Sequence, residues 1–127
     1  MGKRLLTTAQ DVMRTEDMPV LPPEMHLGEA IILVSKAKLG LGIAMVNDEI
    51  VGLITDGDIR RAMEKWQAEF FDRTVSDIMT RTPKMVKPET KITEIQQIMN
   101  KYKVHSVLVT DGEKHLLGVV DHYSCMI

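Results

Sequence analysis

The chain repeats itself, and that limits what it can fold into more than any other feature. Asp11-Val12-Met13 returns as Asp77-Ile78-Met79, and Gly52-Leu53-Ile54 returns as Gly118-Val119-Val120, both at an offset of 66 residues. Between these anchors Pro23 matches Pro88, Leu27-Gly28-Glu29 matches Ile92-Thr93-Glu94, and Ile43 to Val46 matches Ser106 to Val109. The 127 residues therefore read as two half-domains of about 55 residues each. A copy of that size cannot cover both faces of its own sheet, so the two are expected to pack into one pseudo-two-fold body with a ligand cleft between them.

Each copy carries the same order of patterns. Leu27, Ala30, Ile31, Val34 and Ala37 share one helical face, and Ile92, Ile95, Ile98, Met99 and Tyr102 do the same in the second copy. Two apolar runs follow, Ile43 to Val46 and Ile50 to Ile54, separated by the turn residues Asn47-Asp48-Glu49; Thr110 to Lys114 forms the longer equivalent turn. Gly40 is expected to end the helix before the first run. Asp56 is expected to cap a further helix over Gly57 to Lys65, with Arg60, Arg61, Glu64 and Lys65 facing water. Pro19-Val20-Leu21 and Lys84-Met85-Val86 predict a short strand before the first helix of each copy, closed by a following proline. The unit is α/β, in the order β-α-β-β-α, with a small three-stranded sheet and two helices. The segment 66–75 breaks the pattern and holds Trp66, Phe70 and Phe71; it reads as a linker whose rings pack down on the repeats.

Composition closes several other routes. Sixteen basic against 18 acidic residues give a net charge of −2, and neither half shows a basic stripe for DNA or RNA. Five aromatic residues are few for a protein that stacks bases or sugars. The longest apolar run, Ala30 to Val34, falls far short of the roughly 20 residues of a membrane span. One cysteine, Cys125, and no apolar stretch behind Lys3-Arg4 predict a cytoplasmic protein. The ten methionines, among them Met13, Met45, Met63, Met79 and Met99, read as core filling.

The chemistry concentrates in Gly52-Leu53-Ile54-Thr55-Asp56-Gly57-Asp58, a strand that opens directly into a helix. Two readings fit. Thr-Asp before a helix is ordinary capping. The same place offers unpaired N–H groups and partial positive charge to a phosphate, a hydroxyl from Thr55, and in Asp58 an acceptor for the two vicinal hydroxyls of a ribose.

The repeat, the element order and Gly-x-x-Thr-x-x-Asp at this place resemble a pair of cystathionine-β-synthase (CBS) domains over nearly the whole chain. More narrowly, Gly2 to Leu6, Asp11-Val12-Met13, Lys38 to Gly42 and Thr55 to Arg61 resemble the C-terminal module of bacterial arabinose 5-phosphate isomerases, which make the precursor of the lipopolysaccharide sugar Kdo. The resemblance implies a leader over 1–8, one CBS repeat over 9–65, the linker 66–75 and a second repeat over 76–127. It implies a non-catalytic regulatory module that senses an adenine or cytidine nucleotide, or a nucleotide-sugar, attached to its own sugar-isomerase domain and assembled as a homo-oligomer. Thr55 and Asp58 would reach phosphate and ribose, and the base would lie against Gly42, Ile43 and Ala44 in one copy and His105, Ser106 and Val107 in the other. Lys84 and Arg60, with Lys103, would help to neutralise phosphate. The competing reading is a module that holds a multimeric enzyme together without ligand.

The second copy departs from the motif. It reads Gly118-Val119-Val120-Asp121-His122-Tyr123-Ser124, so Asp121 stands at the threonine position and Ser124 at the aspartate position. A carboxylate there repels phosphate, so at most one good nucleotide site is expected, around Thr55 and Asp58, with the second vestigial or tuned to a less anionic ligand. His122 and Cys125 have the spacing of a base and a thiol, but a cysteine at a fraying terminus, without oxyanion donors, is expected to be inert. His115, Asp121, His122 and Cys125 match no zinc spacing, so no metal is expected. His105, at a strand mouth, reads as a satisfied buried or cleft histidine. Gly40-Leu41-Gly42 follows a helix and precedes a strand, the reverse of a dinucleotide fingerprint.

Overall fold

The computed structural model of the chain describes residues 5–126. The leader expected over 1–8 lies in part outside the described residues. The chain divides into two compact units. One runs from Asp17 to Pro83; the other joins the residues up to Glu16 to those from Lys84 onward.

In the Asp17–Pro83 unit, strand β1 (Val20–Leu21) pairs in parallel with β2 (Leu41–Val46), and β2 pairs antiparallel with β3 (Glu49–Thr55). Helix α2 (Leu27–Ala37) makes the crossover between the parallel pair and buries Leu27, Ala30, Val34 and Ala37. The four fall on one face because their spacing follows the 3.6-residue turn. The β2–β3 hairpin turns through Asn47 and Asp48, at φ 51 and 66, the left-handed pair that these side chains tolerate in a two-residue turn. Helix α3 (Asp56–Trp66) follows β3 without a gap. A 3₁₀ helix over Gln67–Asp72 returns Phe70, fully buried, to a core of Leu21, Leu27, Ala44, Ile54, Ile59 and Val75. Trp66 packs against that core, between the charges of Lys65 and Arg73, whereas Phe71 is mostly exposed.

The other unit repeats this arrangement: β4 (Met85–Val86), α5 (Ile92–Tyr102), β5 (Ser106–Thr110) and β6 (Leu116–Asp121), in the sheet order β4-β5-β6. Its core gathers Val86, Ile92, Ile95, Met99, Val107, Val109 and Val120.

Two four-residue helices complete the units. Helix α1 (Ala9–Val12) opens the first repeat in sequence, yet Ala9 lies in the core with Ile92, and the chain around it bridges Thr8 to Lys91 and Arg14 to Val119. Helix α4 (Val75–Ile78) lies likewise on the Asp17–Pro83 unit, with bridges from Thr74 to His26 and from Thr80 to Leu53. Both are closed by the same box: the Thr8 and Thr74 N–H groups donate to Asp11 and Asp77 carboxylates, each at 2.9 Å. The aspartate of each Asp-x-Met repeat is thus a cap.

Four local expectations are corrected. Helix α2 ends on Lys38, left-handed at φ 59, and Gly40 lies beyond it at φ +71, where a Cβ would come 3.2 Å from the Asp56 carboxylate. Thr55 rather than Asp56 caps α3, because its backbone is still extended (φ −119, ψ 167) while Asp56 already sits in the helix. Cys125 is not frayed: a 3₁₀ helix over Tyr123–Met126 carries it into the core, and its carbonyl accepts from Gln96 Nε2 at 3.2 Å. Met63 is exposed, on the water face of α3. No helix among the described residues is long and apolar enough to cross a membrane.

Candidate functional site

The site predicted around Thr55 forms where β3 runs into α3. Leu41 pairs with Thr55 across the sheet, and the Asp56 N–H donates to the Gly40 carbonyl at 3.0 Å, which fixes the chain at the strand-to-helix junction. Thr55 and Asp58 then bond reciprocally. The Asp58 N–H donates to Thr55 Oγ1 at 3.2 Å, and the Thr55 N–H donates to Asp58 Oδ2 at 2.9 Å. This is a capping box, with the carboxylate in the third helical position.

The two carboxylate oxygens of Asp58 have different partners. Oδ2 holds the cap; Oδ1 accepts from Arg61 Nη2 at 2.6 Å. The Asp58 side chain is 19% exposed and that of Arg61 66%. Arg61 lies back across Gly57, where a Cβ would meet its guanidinium at 3.2 Å. Arg61, expected simply to face water, is therefore the site residue that the motif did not reveal. The available signal was its place one turn after Asp58 behind a glycine.

The helix terminus is already well supplied with negative charge. Asp56 and Asp58 both stand in the first turn, where the helix dipole favours them. Of the first three N–H groups, that of Asp56 goes to Gly40 and that of Asp58 to Thr55, leaving Gly57 N–H as the donor not taken in this way.

Gly42, Ile43 and Ala44, expected beside a base, are buried in β2. Gly42 has no room for a side chain, since a Cβ would lie 2.7 Å from Leu21 Cδ1 and 3.0 Å from Val34 Cγ2. The Ile43 N–H donates to the Pro19 carbonyl at 2.8 Å. Arg60 is exposed on α3. These four residues, like Asp58, share the Asp17–Pro83 unit with Thr55.

The remaining predicted residues belong to the other unit. Lys84 Nζ stands 3.8 Å over the Tyr102 ring, a cation–π contact. His105 is exposed rather than buried, and its carbonyl accepts the His122 N–H at 2.9 Å. Ser106 pairs with Asp121 across β5 and β6. Asp121 Oδ1 accepts both the Ser124 N–H at 2.8 Å and the Ser124 hydroxyl at 2.9 Å. The second copy thus keeps the local cap and reverses its parts. The carboxylate stands where Thr55 has its hydroxyl, and the hydroxyl where Asp58 has its carboxylate.

A further cluster was not foreseen. On the β5–β6 loop, Asp111, Glu113 and His115 bring their donor atoms within 4.8 Å of one another. Asp111 Oδ1 accepts the Glu113 N–H at 2.8 Å and Oδ2 meets His115 Nδ1 at 2.7 Å. These bonds, the Glu113 N–H first and the His115 side chain second, hold the Asp111 carboxyl below the ordinary aspartate value.

Known proteins match this chain throughout. The sequence profile of the CBS domain matches residues 9–65 and 75–126. A probable arabinose 5-phosphate isomerase of Haemophilus influenzae is 32% identical over 98% of this chain and 36% of its own length. The arabinose 5-phosphate isomerase KdsD of Francisella tularensis is 33% identical over 94% of this chain and 37% of its own. The chain therefore spans about a third of the length of these relatives. Among solved structures, the CBS domain pair of protein MJ0100, in complex with 5-methylthioadenosine and S-adenosyl-L-methionine, superposes with a TM-score of 0.84 at 22% identity, covering 94% of this chain and 92% of that one. CBSX2 in complex with AMP gives a TM-score of 0.79 at 20% identity, over 94% and 92% of the two chains. At such identities the likeness speaks for the fold. The two profile matches span most of the chain, and the two three-stranded sheets repeat one topology, so the chain belongs to the CBS domain family as a tandem pair.

Proposed function

We propose that this chain is the regulatory, nucleotide-sensing module of a cytoplasmic sugar-phosphate isomerase of the arabinose 5-phosphate type, itself without catalysis. The observation that carries the reading is the division of labour within Asp58. Its Oδ2 keeps the cap, so Oδ1 can take the vicinal hydroxyls of a ribose without unmaking the helix start. Thr55 supports this, because an oxygen that accepts the Asp58 N–H still has its hydroxyl proton to give. The relatives supply the enzyme class, and the adenosine compounds held by the MJ0100 pair and by CBSX2 supply the ligand class. Regulation follows from differential binding: a nucleotide that favours one arrangement of the pair biases the attached isomerase domain and the homo-oligomer it forms.

The ligand-free alternative, a module that only holds the oligomer together, is favoured by one observation. In the second copy the Asp121 carboxylate occupies the cap position where a phosphate would need a donor.

A thermal-shift screen against adenine and cytidine nucleotides and nucleotide-sugars separates the two. At a hundredfold excess over Kd a ligand adds about 2.7 kcal/mol, which for a chain of this size raises Tm by about 8 °C or more. Asp58→Ala, measured against its own ligand-free Tm because it also loses the cap, is expected to lose the shift. No shift of the wild type at millimolar ligand establishes the oligomerisation reading instead.

A further inference from the structure

We propose that Arg61 is a built-in competitor for the ligand: its guanidinium occupies the Asp58 oxygen that a ribose diol would use, so that binding is an exchange rather than the filling of an open acceptor. The inference rests on the nucleotide reading of Thr55 and Asp58 given above.

Three features of the geometry carry it. Arg61 Nη2 and Asp58 Oδ1 are 2.6 Å apart, the short distance of a charge-assisted bond. The partner oxygen is the one not committed to the cap, since Oδ2 accepts the Thr55 N–H. The guanidinium reaches it by lying across Gly57, a position that has no side chain to keep it off. A larger residue at 57 would lift the arginine away.

Arg61 is also suited to being displaced. Its side chain is 66% exposed, so it returns to water at small cost. Part-exposed ion pairs of this kind change an equilibrium by a few-fold at most, so the exchange tunes affinity without closing the site. A diol offers Oδ1 two neutral donors in place of one cationic donor, and salt weakens only the cationic partner. A neutral ligand thereby acquires a salt dependence of unusual sign, binding more tightly as salt rises.

The test uses uncharged nucleosides, adenosine and cytidine, titrated calorimetrically into the wild type, Arg61→Ala, Arg61→Gln and Asp58→Ala. Removing the arginine is expected to tighten nucleoside binding by about two- to fivefold. Wild-type affinity is expected to rise as sodium chloride goes from low to high concentration, and the two Arg61 variants are expected to lose that response. A merely structural role for Arg61 would weaken binding and leave the salt response unchanged. Equal or weaker binding in both Arg61 variants, with Asp58→Ala still abolishing binding, overturns the competitor and spares the nucleotide site. Nucleoside binding unaffected by Asp58→Ala, or none by any form of the protein, overturns the nucleotide reading and the competitor with it.

Discussion

The Met79 side chain fills the space above Gly52, with its sulfur 2.5 Å from where a Cβ on that glycine would stand, and Met13 does the same over Gly118 at 2.7 Å. The two pairs explain why Asp-x-Met and Gly recur at one spacing. The aspartate closes a one-turn helix, and the methionine beyond it enters a notch that only glycine leaves open. In each case the methionine comes from a segment distant in sequence and pins it to the sheet, through the Thr80–Leu53 bridge in one unit and the Arg14–Val119 bridge in the other.

Alanine at either glycine is therefore expected to destabilise by overpacking, about 1–3 kcal/mol, read as a fall in Tm of about 3–5 °C for each kcal/mol. The two sites should part company in double variants. At Gly52 the three nearest atoms all belong to Met79, so Met79→Ala should absorb nearly the whole cost of Gly52→Ala. At Gly118 the Arg14 carbonyl oxygen also lies 2.9 Å away and is fixed by the Val119 N–H, so Met13→Ala should rescue little. Equal rescue at both sites would show that backbone proximity does not set the cost.

The repeat, the element order and the faces of α2 and α5 could be read in the sequence because each is a periodic pattern that one copy confirms in the other. What escaped was conformation decided by single residues. A left-handed lysine at 38 ends α2 where a glycine two residues on looked the better stop, and nothing in the string Lys38-Leu39-Gly40 marks which of them turns. Thr55 and Asp58 were legible as candidates, but a cap and a ligand site ask for the same residue types at the same spacing. The Arg61 contact depends on a side-chain path across Gly57 that no motif encodes. Burial of Cys125 likewise follows from the last turn of chain, where a four-residue 3₁₀ helix folds inward.

The reversed cap of the second copy makes a separable stability prediction. Thr55→Ala should cost about 1 kcal/mol, and Thr55→Ser much less, because serine keeps the acceptor. In the other copy, Asp121→Thr keeps an acceptor for the Ser124 N–H and should be mild. Ser124→Asp sets a second carboxylate against Asp121 and should be the most destabilising of the four in urea unfolding. Combining it with Asp121→Thr restores the order found at Thr55 and Asp58, and should recover most of the loss. If the double variant is no more stable than Ser124→Asp alone, the two copies do not share one capping geometry.

The Asp111–His115 loop adds a dependence on pH whose sign is fixed. A carboxyl whose folded value lies below its ordinary value stabilises the fold fully above the ordinary value, and that contribution fades as pH falls through the folded one. Asp111→Asn should therefore lower Tm at pH 7 and make a smaller difference in acid, once the pH has fallen through the folded value and the wild-type carboxyl has taken up its proton. Carboxyl resonances followed by NMR should place the Asp111 midpoint below that of an ordinary aspartate. In His115→Ala the midpoint should climb only part of the way back, because the Glu113 N–H, the larger cause, still donates to Oδ1 at 2.8 Å. A full return in His115→Ala would instead assign the whole effect to the imidazole.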